Sequence, residues 1–147
     1  MAGGLARALN APGGIGVNEA CARAQENLQI SRDKSLAFIG DCLADIEQLA
    51  AADAPAPEVR RELHRLACAI AGLGGMFERD ALSKAAYCFC RLLDETEPGW
   101  VAVAVQVHVG AMRMLFTPGE HTPEQQASVV DGLRSVRRWA VGEAGQG

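Results

Sequence analysis

Between residues 32 and 52 the apolar side chains Leu36, Ile39, Leu43, Ile46 and Ala50 recur at alternating spacings of three and four. That period admits one kind of element, a helix with a single buried face. Most of the chain repeats the pattern, cut by proline and glycine. Asn18 is placed to cap a first helix over residues 19–29, whose stripe is only Cys21, Ala24 and Leu28. Ser31 either caps a second helix or lies inside one that joins the two.

Asp53-Ala-Pro-Ala-Pro57 breaks the run, and Pro57 suits the first turn of a helix over residues 57–74. Gly74-Gly75 is placed to end it, as glycine commonly does just past a helix. Asp80 is a candidate cap for the next helix, with Leu82, Ala86, Phe89 and Leu93 as its stripe. Residues 100–116 are apolar almost all round and are predicted to lie deepest in the core. Their valines also fit a strand, but their length and the helical context favour a helix. Thr122-Pro-Glu-Gln125 reads as a capping box before a last helix with Val129, Leu133, Val136 and Ala140 inward.

A chain of 147 residues fits one domain. Successive helices with short connections pack antiparallel, which predicts an all-α, up-and-down antiparallel bundle. The bundle is expected over residues 18–142, between a flexible, glycine-rich leader (1–17) and a frayed tail (143–147). A net charge of −4 gives no reason to expect nucleic acid. No apolar run is long enough for a bilayer, and no signal-peptide segment is evident, so no membrane and a cytoplasmic location are expected. Five cysteines form neither a disulfide framework nor a zinc spacing.

The helix over residues 57–74 carries the most specific pattern. Projected at about 100° per residue, Val59, Leu63, Leu66, Ile70 and Leu73 gather on one arc. Arg61, His64, Arg65, Cys68 and Gly72 fall opposite, so Cys68 is predicted to face solvent. Ala67, Ala69, Ala71 and Gly72 are expected to leave a shallow surface beside it. Arg60, Arg61, Arg65 and Arg79 concentrate positive charge around this stretch.

Within that helix, Leu66-Ala-Cys-Ala-Ile-Ala-Gly-Leu-Gly-Gly-Met-Phe77 resembles the signature of histidine-phosphotransfer (HPt) domains. That signature runs roughly H-x-L-K-G, then small residues and an apolar-Gly pair. In register, Cys68 stands at the phosphoacceptor histidine, Ile70 at the leucine, Ala71 at the lysine and Gly72 at the glycine. Glu78 stands where a glycine is more usual. The resemblance implies a four-helix bundle of HPt type with one or two accessory helices. It also implies, as partner, a response-regulator receiver domain or a histidine kinase of a bacterial two-component phosphorelay.

Phosphotransfer needs an imidazole that accepts and releases the phosphoryl group, and it gains from a nearby cation. An ordinary thiol is mostly protonated at neutral pH, and Ala71 removes the lysine. The expectation is therefore a non-catalytic adaptor with a partner-binding face of Arg61, His64, Arg65, Cys68, Ala71 and Gly72. His64, one turn before Cys68 on the same face, is the one candidate for a displaced phosphoacceptor in an active phosphotransferase.

Other chemistries stay open. Cys68, with Arg61 and Arg65 beside it, has the electropositive setting of a redox-sensing thiol. His64 and Cys68 have the i, i+4 spacing of a metal-ligand pair, but no second pair is evident. Cys88 and Cys90 lie about 200° apart around a helix and cannot clamp one ion together. They are expected to pack beside Phe89. His108 is expected in the core or at its boundary, and no metal or other cofactor is anticipated. An unrelated helical bundle whose glycines coincide with the motif is the remaining alternative, and a buried Cys68 would favour it.

Overall fold

The structure, a computed structural model, describes residues 16–117, 119 and 121–146. Among them it is all-helical, with no strand. Five α-helices follow in order: α1 (Val17–Leu49), α2 (Pro57–Gly74), α3 (Asp80–Thr96), α4 (Ala102–Phe116) and α5 (Pro123–Gln146), with a 3-10 turn at Gly75–Phe77. No described helix is long and apolar enough to cross a membrane. Of the expected leader, residues 1–15 lie outside the described residues, and Val17 already belongs to α1. The expected frayed tail is helical as far as Gln146, and Gly147 lies outside the described residues.

The chain divides into two units, residues 1–36 and 37–147. In the first, residues 17–36 of α1 are almost wholly exposed, including Leu28 and Ile30. Their helicity is supported locally, by i, i+4 pairs between Arg23 and Glu19 and between Gln29 and Asp33. The helix runs through Ser31, so the two segments expected at 19–29 and 32–52 form one element.

The second unit holds the core. Residues 37–49 of α1 bury Ile39, Leu43 and Ile46, and Ala50 follows them inward. Arg113 of α4 pairs with Glu47, and Gln106 donates to the Ala50 carbonyl at 2.7 Å. The helix α2 opens on Pro57 at its first turn and buries Leu63, Leu66, Ala67 and Ile70. Ala67 thus leaves the open surface expected of it, because it sits one turn from Leu63 on the inward arc.

The end of α2 differs from expectation in its mechanism. Gly75 keeps a right-handed φ of −65°, and the left-handed residue is Glu78, at φ 60°. Gly74 sits instead at a close approach of two backbone segments. A Cβ there would lie 3.1 Å from the Arg79 carbonyl oxygen and 3.2 Å from the Ser83 backbone nitrogen. Ser83 Oγ donates to the Ala71 carbonyl across the same contact. Asp80 is the first helical residue of α3 rather than its cap, and its charge still suits the helix N-terminus.

The helix at the centre is α3, not α4. It packs against α2, α4 and α5. It buries Leu82, Ala85, Ala86, Cys88, Phe89, Cys90, Leu92, Leu93 and Thr96. Small Ala and Cys side chains around Phe89 leave room for three neighbours. By contrast α4 keeps Val103 and Val107 exposed, so its uniformly apolar sequence does not translate into the deepest position. The last helix, α5, opens with the predicted capping box. Thr122 N donates to Gln125 Oε1 at 2.9 Å, and Gln125 N donates to Thr122 Oγ1 at 3.1 Å. It buries Val130, Leu133 and Ala140, while Val129 and Val136 are half-buried.

Candidate functional site

Apolar burial on one arc of α2 turns the opposite arc outward, and Cys68 is exposed there. The same packing sets α2 beside α3, so that the outward arc of one helix meets the flank of the other. Cys68 Sγ lies 3.3 Å from Cys90 Sγ and 3.6 Å from His64 Nδ1. His64 Nε2 lies 3.2 Å from Asp94 Oδ2. Cys90 Sγ is 3.8 Å from the His64 carbonyl oxygen, to which its S–H points. Each helix thus contributes an i, i+4 pair, His64 with Cys68 and Cys90 with Asp94.

Burial separates the two thiols. Cys90 is buried, and that burial first, then the hydrogen bond and charge of Cys68, raises its pKa well above the ordinary thiol range. The pair beside His64 is therefore one accessible sulfur backed by one sheltered from water.

A surface groove of about 590 Å³ opens over this cluster, lined among others by Arg61, His64, Arg65, Cys68, Leu93 and Asp94. Four of the six residues expected on the partner-binding face therefore meet in it. Ala71 lies on another groove, beside Ser83, Tyr87 and Cys88. Gly72 is exposed, with open space where a Cβ would point.

The arginines are less uniform than their clustering in sequence implies. Arg65 is bound through two nitrogens to Glu62, at 2.9 and 2.6 Å, and Arg61 lies 3.5 Å from Glu58. The hydrogen bond with Glu62 raises the Arg65 pKa and lowers the Glu62 pKa. Both pairs are exposed and intrahelical, so they neutralise charge locally while remaining free to exchange partners.

Arg60 is structural. Its guanidinium donates to the Gly99 carbonyl at 2.6 Å, to Thr96 Oγ1 at 3.0 Å and to the Leu93 carbonyl, and it lies 5.7 Å from the Trp100 ring centroid. Burial pulls its pKa down, and Glu97 and Asp94 oppose that shift. Arg79 is the residue before α3, at its N-cap.

Cys88 turns away from this cluster, as the projected angle between it and Cys90 requires. It packs in the core against His108, which is buried, with Nε2 3.3 Å from Cys88 Sγ and Nδ1 2.8 Å from the Ala104 carbonyl. A carbonyl only accepts, so Nδ1 carries the proton and Nε2 accepts from the Cys88 thiol. Burial lowers the His108 pKa, and Arg137 adds to the shift against the Ala104 bond.

Sequence reasoning missed Cys90 and Asp94 as members of the site. Their i, i+4 spacing mirrors that of His64 and Cys68, and this is the signal that was present. No family model, curated protein or solved structure matches the chain. The HPt resemblance therefore rests on residues 66–77.

Proposed function

We propose that the protein is a non-catalytic adaptor of HPt type, with α2–α5 as an up-and-down antiparallel four-helix bundle. It docks on a receiver domain or a histidine kinase of a two-component phosphorelay through the outward arc of α2. The observation that carries this reading is the exposure of Cys68 opposite the buried Leu63, Leu66 and Ile70. That is the position from which a phosphotransfer histidine meets another protein's aspartate. The open space at Gly72 lets a partner approach the helix closely. Arg61 and Arg65 supply exposed cations at the rim of the groove.

Docking without transfer follows from the chemistry of the face. A thiol replaces the imidazole at position 68, and Ala71 brings no cation. The remaining imidazole, His64, turns one nitrogen to Asp94 and the other to Cys68. An adaptor of this kind competes with a true phosphodonor by covering the same surface of the partner. Purified protein mixed with a radiolabelled phospho-receiver should bind it and remain unlabelled. Acid-labile phosphate on His64, lost on His64→Ala, would establish a phosphotransferase instead.

A second reading, thiol-based redox sensing, is favoured by the 3.3 Å separation of Cys68 Sγ and Cys90 Sγ. The two thiols would pass two electrons and two protons to a hydroperoxide, giving a disulfide and an alcohol with water. Loss of two free thiols on peroxide treatment of wild type, and not of Cys68→Ser, distinguishes this from docking alone.

A further inference from the structure

One imidazole nitrogen of His64 and the sulfurs of Cys68 and Cys90 lie within 4.8 Å of one another. By distance the nitrogen facing Cys68 is Nδ1, at 3.6 Å. Two soft sulfurs and one imidazole form a donor set suited to zinc and poorly suited to magnesium or calcium. We infer that His64 Nδ1, Cys68 Sγ and Cys90 Sγ bind a zinc(II) ion, with the fourth coordination position open to the groove.

The distances support a tetrahedral ion. Zinc–sulfur bonds of about 2.3 Å and zinc–nitrogen bonds of about 2.0 Å hold nitrogen and sulfur ligands about 3.5 Å apart, and two sulfurs about 3.8 Å apart. Here the His64 Nδ1–Cys68 Sγ separation is 3.6 Å and the sulfur–sulfur separation 3.3 Å, while the third side of the triangle, from the His64 imidazole to Cys90 Sγ, lies within 4.8 Å. Seating the ion requires the sulfurs to part by about 0.5 Å, a movement open to the exposed Cys68 side chain. Each thiol releases its proton to solvent on binding, and the ion's charge replaces both protons.

Asp94 provides the outer support such a site needs. Its carboxylate, 3.2 Å from His64 Nε2, accepts the proton on that nitrogen and so presents the Nδ1 lone pair to the sulfurs. A carboxylate behind the histidine fixes the tautomer and the ring's orientation together. The ligands also come from two packed helices, so the geometry is held by the core beneath Leu66 and Ile70 rather than by a loop. Cys21, Cys42 and Cys88 are outside the cluster. The inference is independent of the docking proposal, because it rests on convergence of ligand atoms and not on any partner.

The test is cobalt(II) titration of the full chain, reduced with a phosphine and followed by absorbance. Wild type should bind one cobalt per chain with a sulfur-to-cobalt charge-transfer band and tetrahedral ligand-field bands, all removed by stoichiometric zinc and unaffected by magnesium or calcium. Cys68→Ser, at an exposed position that leaves folding intact, should lose most of the charge-transfer intensity and bind at least 100-fold more weakly. Asp94→Asn should keep the spectrum and weaken binding about 10–100-fold. Cys21→Ser should behave as wild type. Absence of the band in wild type, or an unchanged band in Cys68→Ser, overturns the site. Failure to bind a receiver domain leaves it intact.

Discussion

Cys68 Sγ and Cys90 Sγ lie 3.3 Å apart across the α2–α3 contact, one thiol exposed and the other buried. A single inter-helix contact thus pairs two chemically unequal sulfurs. Accessible thiolate, not total thiol, sets the rate of alkylation. In the reduced, metal-free protein, iodoacetamide should modify Cys21 and Cys68 well before Cys42, Cys88 and Cys90. Peptide mapping by mass spectrometry over a time course checks this, and equal labelling of positions 68 and 90 would contradict the burial that raises the Cys90 pKa.

Arg60 links α2 to the end of α3 and to the chain leading into α4. Arg60→Met keeps much of the aliphatic stem but abandons the carbonyls of Leu93 and Gly99 and the hydroxyl of Thr96. Charge-assisted hydrogen bonds contribute about 1.5–3 kcal/mol each, and not additively. Urea unfolding should show a loss of about 2–4 kcal/mol. Arg61→Met, at an exposed i, i+3 pair, should change stability by about 0.5 kcal/mol or less.

Gly72 and Gly74 separate surface function from packing. Gly72→Ala places its methyl in open space. It should stabilise the fold by up to about 1 kcal/mol through helix propensity, while weakening any docking that needs close approach to α2. Gly74→Ala forces its methyl against the backbone of Arg79 and Ser83 and should destabilise by about 1–3 kcal/mol. Thermal melts rank the two variants, and binding to a receiver domain tests the cost of the added methyl at position 72.

His108 makes stability depend on pH. Its folded pKa is depressed below the unfolded value, mainly by burial. Between those two values the unfolded chain binds the extra proton, so stability rises with pH there and falls on acidification from about pH 6.5. One such group gives a slope of at most about 1.4 kcal/mol per pH unit. Melting temperatures from pH 7.5 down to 5.5 should decline in wild type and decline less in His108→Leu. A parallel decline in both would locate the effect elsewhere.

The helices were legible because burial on one face imposes a period that local sequence carries. Leu63, Leu66 and Ile70 on one arc already imply that Cys68 faces out, and Thr122 with Gln125 already imply the start of α5. Other features depended on partners distant in the chain. Residues 100–116 look like the deepest segment, yet α3 takes that place because its Ala and Cys side chains admit three neighbouring helices. Gly74 does stand at the end of α2 as its sequence suggests, yet its missing side chain serves the close approach of Arg79 and Ser83 rather than a left-handed turn. Ala67 looks like part of an open surface and is buried with Leu63.

The candidate site divides along the same line. A face of Arg61, His64, Arg65 and Cys68 can be read from the turn of one helix, since each position is fixed by its own backbone period. Cys90 and Asp94 join that face only through the register in which α3 packs on α2. That register goes with burial of apolar side chains on both helices, Leu66 and Ile70 on α2 and Phe89 and Leu93 on α3. No spacing along the chain encodes a distance across it, so the conversion of an exposed thiol into a three-ligand cluster belongs to the packed core.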